Sequence, residues 1–388
     1  MIYNCLDFFN TRRKEMRKKI VSALLCGVMA LGCFTACNAE NAKKVGELVK
    51  NTDVSGLESV EKEIVSSVTG AGVIPSKDRS GNDIKVPSEV KSIVSLAPST
   101  TRVLIDLGLA LKIVAVDTNS MSYKDYLPSG VKTFDMMNPD NEAIAALKPD
   151  IVFTSGMSSV GGTSPFKPLV DAGICVADIP SSASIADIAE DIKFIGNCTG
   201  KGVEAVALAT AMDASFKLIE KASESIPEEK RKTVLFMMNI PSAEAPTIYS
   251  FGSGTYMDEM LKKIGAKNAC GSQQGWVAIS VEDAVAMNPD VILTNVDYVE
   301  DPVKDIKALK GWENVKAIKN NEVYKVDANL SSQPNNHVVD AALEWLKDVY
   351  PDIFTDLSKN LEKTLKDTVE KIKGIAGNGT SETTKAAA

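Results

Sequence analysis

Glu142-Ala-Ile-Ala-Ala-Leu-Lys-Pro-Asp150-Ile-Val-Phe153 has a counterpart in the second half of the chain, Glu282-Asp-Ala-Val-Ala-Met-Asn-Pro-Asp290-Val-Ile-Leu293. Each stretch reads as a short helix, a Pro-Asp turn and a buried strand, in the same register from glutamate to aspartate. The strand segments are apolar without alternation, which predicts burial on both faces and therefore parallel sheet. A unit that recurs in this way predicts two related halves.

The surroundings extend the pattern. Ile93-Val94-Ser95-Leu96 is a strand, and Pro98-Ser99-Thr100 starts a helix carrying Val103, Leu104 and Leu107 that stops at Gly108. Residues 113–116 form the next strand, before a loop at Pro128-Ser129-Gly130. Helices are predicted over 184–195 and 202–225, the second rich in Ala, Leu and Met with no internal Gly or Pro. Alternation resumes with a strand at 234–238, helices at 256–264 and 281–287, strands at 291–293 and 323–326, and a helix at 338–349. The fold class is α/β: two lobes with mostly parallel sheets joined by one long α-helix. The predicted boundaries are 79–199 for the first lobe, 200–228 for the connecting helix and 229–352 for the second lobe.

The 388 residues carry a net charge of −8, with 24% charged and 44% hydrophobic residues, an ordinary globular balance. Basic residues gather at the start, where Arg17-Lys18-Lys19 precedes an uncharged run over 20–34. Fifteen residues are too short for a ~30 Å hydrocarbon core, so residues 1–37 read as a secretory leader, with Met16 a candidate for the true start. The rest of the chain is more acidic still, which disfavours nucleic acid as a partner. Residues 38–78 read as a tether, and 353–388 as an amphipathic helix (Leu361, Leu365, Val369, Ile372) followed by a disordered tail. Cys175, Cys198 and Cys270, the cysteines of the body, form neither a disulfide framework nor a zinc pattern, although one disulfide stays open.

Thr35-Ala36-Cys37 resembles the lipobox of bacterial lipoproteins, which implies acylation of Cys37 and anchoring on the outer face of the cytoplasmic membrane. Cys33 is a second candidate, and a plain secretory signal or an uncleaved anchor is the alternative. Ile93 to Thr101, Leu107-Gly108, Asn141-Glu142 to Asp150-Ile-Val, Gly265-Ala266-Lys267-Asn268, Trp276, Ser280 to Asp290-Val-Ile, Val323-Tyr324 and Ala328 to Ser331 together resemble a class III substrate-binding protein of ABC importers. That family serves iron–siderophore complexes, cobalamin and haem. The resemblance implies a monomer whose single connecting helix keeps closure small. It implies no resident cofactor, a metal chelate as cargo, and Glu142 and Glu282 as the acidic residues that dock on the permease dimer and its ATPase. Two solvated glutamates favoured by a helix N-terminus are the plainer reading of that pair.

In parallel α/β lobes ligands sit beyond the carboxyl ends of the strands. That rule selects Pro98, Ser99, Thr100, Tyr123, Gly156, Met157, Ser253, Thr255, Tyr256, Trp276, Asn295, Asn329, Ser331 and Gln333 as candidate ligand contacts. Trp276 stands where cobalamin binders of the resembled family carry a tryptophan, with packing as its other reading. Arginine is scarce after residue 17, with only Arg79, Arg102 and Arg231, whereas anionic catecholates call for clustered guanidinium groups. His337, the single histidine, is a metal-ligand candidate only, a surface role being its ordinary reading, and Tyr123, Tyr249, Tyr256 and Tyr298 are further ligands in principle. No Gly-x-Ser-x-Gly elbow, His-Glu-x-x-His or Walker A pattern occurs, so no enzyme is expected. Other readings are a haem-binding transport receptor, a chelatase on the same plan, and a surface lipoprotein without transport role.

Overall fold

The computed structural model describes residues 72–159 and 164–360. The leader, the lipobox cysteine Cys37, most of the tether and the sequence after 360 lie outside the described residues. Among the described residues no helix is long and apolar enough to cross a membrane.

The first lobe is a five-stranded sheet of β1 (Ile93–Ser95), β2 (Ile113–Asp117), β3 (Lys132–Phe134), β4 (Ile151–Ser155) and β5 (Cys175–Ile179). All pairs are parallel, in the order β3-β2-β1-β4-β5, with Ile93 opposite both Ile113 and Ile151. The central strands β1 and β4 are the two apolar runs read from the sequence, and their apolar residues are buried on both faces. Val94, Leu96, Ala115 and Val152 pack with Ile144, Phe166 and Leu169 on one side of the sheet. Strands β3 and β5 were not legible in the sequence. Both lie at the sheet edges, where β3 is mostly solvated and carries no apolar run.

The second lobe holds β6 (Thr233–Met237), β8 (Lys267–Asn268), β10 (Val291–Thr294) and β11 (Val323–Lys325) as a parallel sheet in the order β11-β10-β6-β8. A separate antiparallel ribbon of β7 (Thr247–Phe251) and β9 (Trp276–Ser280) is an addition to the expected plan. Its inner face is apolar and joins the lobe's core through Ile248, Val277 and Ile279. Two fully buried tryptophans, Trp312 and Trp345, anchor this lobe, the second against Phe236 and Phe251.

The repeat seen in the sequence is a repeat in three dimensions. The helices Asn141–Ala146 and Val281–Met287 are capped by Asp140 and Ser280. Lys148 and Asn288 then take left-handed backbone, with φ of 50° and 46°, and the following proline blocks any continuation of the helix. The aspartate of each turn fastens the start of the lobe's central strand. Asp150 Oδ2 accepts from the amides of Lys91 (2.7 Å) and Ser92 (2.9 Å), and Asp290 Oδ2 from the amide of Thr233 (2.9 Å).

The connecting helix is Gly202–Ser223. It is braced along its length by the helix Ile185–Cys198, whose start is a reciprocal Ser184–Asp187 capping box. Gly196 makes the close approach possible, since a Cβ there would lie 2.2 Å from Ala205 Cβ. Across the lobes, Glu259 accepts from the amide of Ile185 (2.8 Å), and Lys263 of the second lobe pairs with Glu220 on the connecting helix (2.6 Å). The tether boundary drawn at 78 needs correction. Gly72 N donates to Asn197 Oδ1, and the buried Asp78 accepts from the amide of Asp178, so the first lobe begins earlier. The helix at Val338–Val349 has its predicted bounds. Cys175, Cys198 and Cys270 are free thiols, which closes the disulfide option among the described residues.

Candidate solute-binding cleft

Both sheets have a topological switch point, where the chain leaves a central strand to opposite sides. In the first lobe it lies between β1 and β4, in the second between β6 and β10. Crevices open beyond the carboxyl ends of such strands, so the segments that matter follow β1, β2, β3, β4, β6 and β10. In the first lobe these carry Pro98 and Ser99, the two 3₁₀ turns of Thr118–Tyr126, Met137, and Gly156 with Met157. Tyr126 and Met157 leave more than half of their surface exposed, and Met137 just under half. In the second lobe, Asn295 follows β10, and the β7–β9 ribbon supplies an aromatic face. Tyr249 lies opposite Ala278, and Trp276 is its diagonal neighbour on the exposed side. Each of these two rings is 55% exposed, and Trp276 also meets Tyr256 edge-on at 6.3 Å.

The structure divides the predicted contacts. Pro98, Ser99, Tyr123, Gly156, Met157, Ser253, Trp276, Asn295, Asn329 and Gln333 remain partly or fully accessible. Thr100, Thr255, Tyr256 and Ser331 are buried and are corrections. Thr100 sits inside the first turn of the helix Pro98–Asp106. Thr255 caps the helix Tyr256–Lys263 by accepting from the amide of Asp258 (3.2 Å). The Tyr256 hydroxyl donates to the carbonyl of Ser331 (2.8 Å), and Ser331 Oγ donates to that of Asp327 (2.6 Å). Burial drives the Tyr256 phenol far above its ordinary value, so it stays neutral. These four groups are buried within the lobes and hydrogen-bonded or packed there. Ser253 belongs to a zipped loop: its amide and hydroxyl both donate to the Gln273 carbonyl, and Gly252 lies so close that a Cβ would sit 2.2 Å from that same oxygen. Tyr126, Met137 and Tyr249 were missed or left as secondary, because short turns and an unpredicted ribbon carry them.

Residues 93–330 match the family of periplasmic binding proteins. The chain belongs to that family. It is 34% identical over 332 residues to the ABC transporter substrate-binding lipoprotein YvrC of Bacillus subtilis, a match spanning 85% of this chain and 95% of the relative. The Vitamin B12-binding protein of Vibrio cholerae is 22% identical over 262 residues, 66% of this chain and 87% of its own. Among solved structures, the molybdate-bound periplasmic binding protein MolA of Haemophilus influenzae aligns with a TM-score of 0.61 and 22% identity over 76% of this chain and 96% of its own, which establishes the shared fold. The protein is thus a substrate-binding component of an ABC transporter, of an extracytoplasmic family whose members work with a permease and its ATPase.

In this binding protein the charged groups near the cleft are largely spent on one another. Arg102 forms a two-pronged pair with Asp106, at 2.6 Å and 3.1 Å, and its guanidinium lies over the rings of Tyr126 (5.1 Å) and Tyr123 (5.7 Å). His337 does not present a lone pair to a metal. Its Nε2 faces Asp106 Oδ2 at 2.9 Å and its Nδ1 faces Asp340 Oδ2 at 2.6 Å. Both nitrogens meet acceptors, so the ring is the doubly protonated imidazolium. Burial alone would lower its pKa, but the two carboxylates prevail and lift it to about 9. Desolvation likewise works against Asp106, and the hydrogen bond and charge of His337 together with Arg102 outweigh it and hold the carboxyl below its usual range. The metal-ligand reading of His337 is therefore replaced by a cross-lobe ion pair. Of the tyrosines considered as ligands, Tyr123 donates to Gln333 and Tyr298 Oη accepts from the amide of Ile240. Gln333 in turn donates to Asn329, and Asn295 donates to Ser332. Glu142 and Glu282 are exposed at the second position of equivalent helices, one on each lobe.

Proposed function

We propose that this protein is a lipid-anchored receptor that captures a bulky metal chelate, a corrinoid in preference to an anionic iron–siderophore, and hands it to an ABC permease. The observation that carries this reading is the makeup of the walls. Tyr126, Met137 and Met157 on one lobe and Tyr249 and Trp276 on the other expose broad, uncharged, polarisable surface, while Arg102 is already neutralised by Asp106. Such surface suits a large chelate with apolar faces and offers little to a polyanion. A haem cargo would want an axial ligand, and the engagement of His337 by two carboxylates weakens that alternative. Thr35-Ala36-Cys37 after the apolar run supports the lipid anchor, with acylation at Cys37 and residence on the outer face of the cytoplasmic membrane. Matched presentation of Glu142 and Glu282 supports docking on a two-fold permease, where charge pairing would set orientation.

Calorimetric titration with cyanocobalamin, haem, a ferric hydroxamate, a ferric catecholate and molybdate tests the cargo. The expected result is sub-micromolar affinity for cyanocobalamin with quenching of Trp276 fluorescence, since Trp312 and Trp345 are sealed in the core. Tight binding of molybdate or of the catecholate with no response to cyanocobalamin would overturn the reading.

A further inference from the structure

The segment Thr118–Tyr126 is short, built of two 3₁₀ turns that kink at Tyr123, and buries only Ser120. Its first turn is well held. Asp117 accepts from the amides of Asn119 (2.8 Å) and Ser120 (3.1 Å) and from the Ser120 hydroxyl, and Ser120 is linked through Thr101 to Ser95 on β1. The second turn is held at its start by the Tyr123 hydroxyl, which donates to Gln333 of the second lobe, and has no buried side chain of its own. Beside it lies the Arg102 guanidinium, its carbon 5.7 Å from the centroid of the Tyr123 ring and 5.1 Å from that of Tyr126. A guanidinium can stack there only while its orientation is fixed, and Asp106 fixes it with two parallel hydrogen bonds. Asp106 is fixed in its turn from the other lobe, by Asn336 Nδ2 and His337 Nε2, both at 2.9 Å from its Oδ2. The four charges balance, Arg102 and His337 against Asp106 and Asp340, all with a fifth or less of their side-chain surface exposed.

We infer that Arg102, Asp106 and His337 form a positioning relay, in which the second lobe, through His337, sets the orientation of Arg102 and so presents Tyr126 and Tyr123 to cargo on the first lobe. None of the three needs to touch the cargo. This rests on the reading above that the Tyr126 loop is part of the cargo wall, but the relay itself is a property of the empty protein. A lysine at 102 would keep the charge opposite Asp106 yet lose the plane, so the relay separates a stacking role from an ionic one. The groups that face His337 from the elements around it are Asp106 and, behind it, Arg102 on the first lobe, and Asp340 on its own helix, while Asp327 is a further charge near the neutral Tyr123 phenol.

The test uses the full chain and the substitutions Arg102→Lys, Arg102→Met and His337→Gln. Hydrogen–deuterium exchange at pH 7 without cargo reads the loop directly. Amides of 121–126 are expected to exchange roughly tenfold faster in all three variants, with those of β1 and β4 unchanged. Cyanocobalamin affinity is expected to fall about tenfold in parallel, and in the unsubstituted protein to fall as His337 deprotonates at alkaline pH. Restoration of native loop exchange by Arg102→Lys would overturn the relay, as would loop exchange left untouched by His337→Gln. If cyanocobalamin fails to bind the unsubstituted protein while the exchange pattern appears, the cargo assignment falls and the relay stands.

Discussion

The single histidine gives a direct experiment on how the two lobes are held together. His337 is an imidazolium between two carboxylates, with a pKa raised from 6.5 to about 9. At ~1.4 kcal/mol for each tenfold change, the rise is worth about 3 kcal/mol, counted once for the His337–Asp106 pair. A group whose folded pKa lies above its unfolded one stabilises most strongly below the unfolded value, and the contribution is lost as pH rises to the folded value. Linkage therefore gives ~3 kcal/mol below pH 6.5, ~2.5 at pH 7, ~1.5 at pH 8 and almost nothing at pH 10. One imidazole in the chain means one Cε1–H resonance, so a proton NMR titration reports His337 without assignment. Urea unfolding of the protein and of His337→Gln, at pH 7 and pH 10, supplies the energies, because other alkaline effects cancel in the difference between the two. The stability gap between the pair should shrink by about 2–3 kcal/mol over that interval. An imidazole that titrates at or below 6.5, or a gap that does not change with pH, would refute the ion-pair account.

Other consequences can be checked as simply. Gly196→Ala would drive a methyl into Ala205 Cβ at 2.2 Å and the Lys201 carbonyl at 2.8 Å, so the seam beside the connecting helix should lose ~3 kcal/mol in denaturant unfolding. Trp276→Ala removes the exposed tryptophan of the ribbon, and should weaken cyanocobalamin binding by about 2 kcal/mol in calorimetry with the melting temperature nearly unchanged. Glu142→Ala combined with Glu282→Ala should abolish stimulation of the permease ATPase in proteoliposomes while calorimetric cargo affinity holds; an equal loss of affinity would remove both residues from the docking role. Gly252→Ala places a Cβ 2.2 Å from the Gln273 carbonyl, so it should open the loop that leads into Trp276, seen as a shift in tryptophan emission.

Much of this architecture was legible in order along the chain, because the relevant signals are local. Buried parallel strands such as β1, β4 and β10 begin with unbroken apolar runs, the Pro-Asp turns must stop a helix, and Ser184 with Asp187 marks a helix start. The repeat from Glu142 and from Glu282 is of this kind, and its turn, cap and strand all recur in space. Edge strands β3 and β5 and the β7–β9 ribbon escaped, since residues at a sheet margin face water on one side and need no distinctive pattern. What only the tertiary structure decided is which polar residues are spent. Thr100, Thr255, Tyr256 and Ser331 look like ligand contacts in the sequence and are consumed by helix packing, a cap and two carbonyl bonds. Arg102 and His337 stand 235 positions apart, and nothing local says that Asp106 lies between them. Hydrogen bonding is short-ranged in space and indifferent to separation along the chain, so the charge state of the single histidine, and with it the stacking of the loop tyrosines, exists only once the two lobes have met.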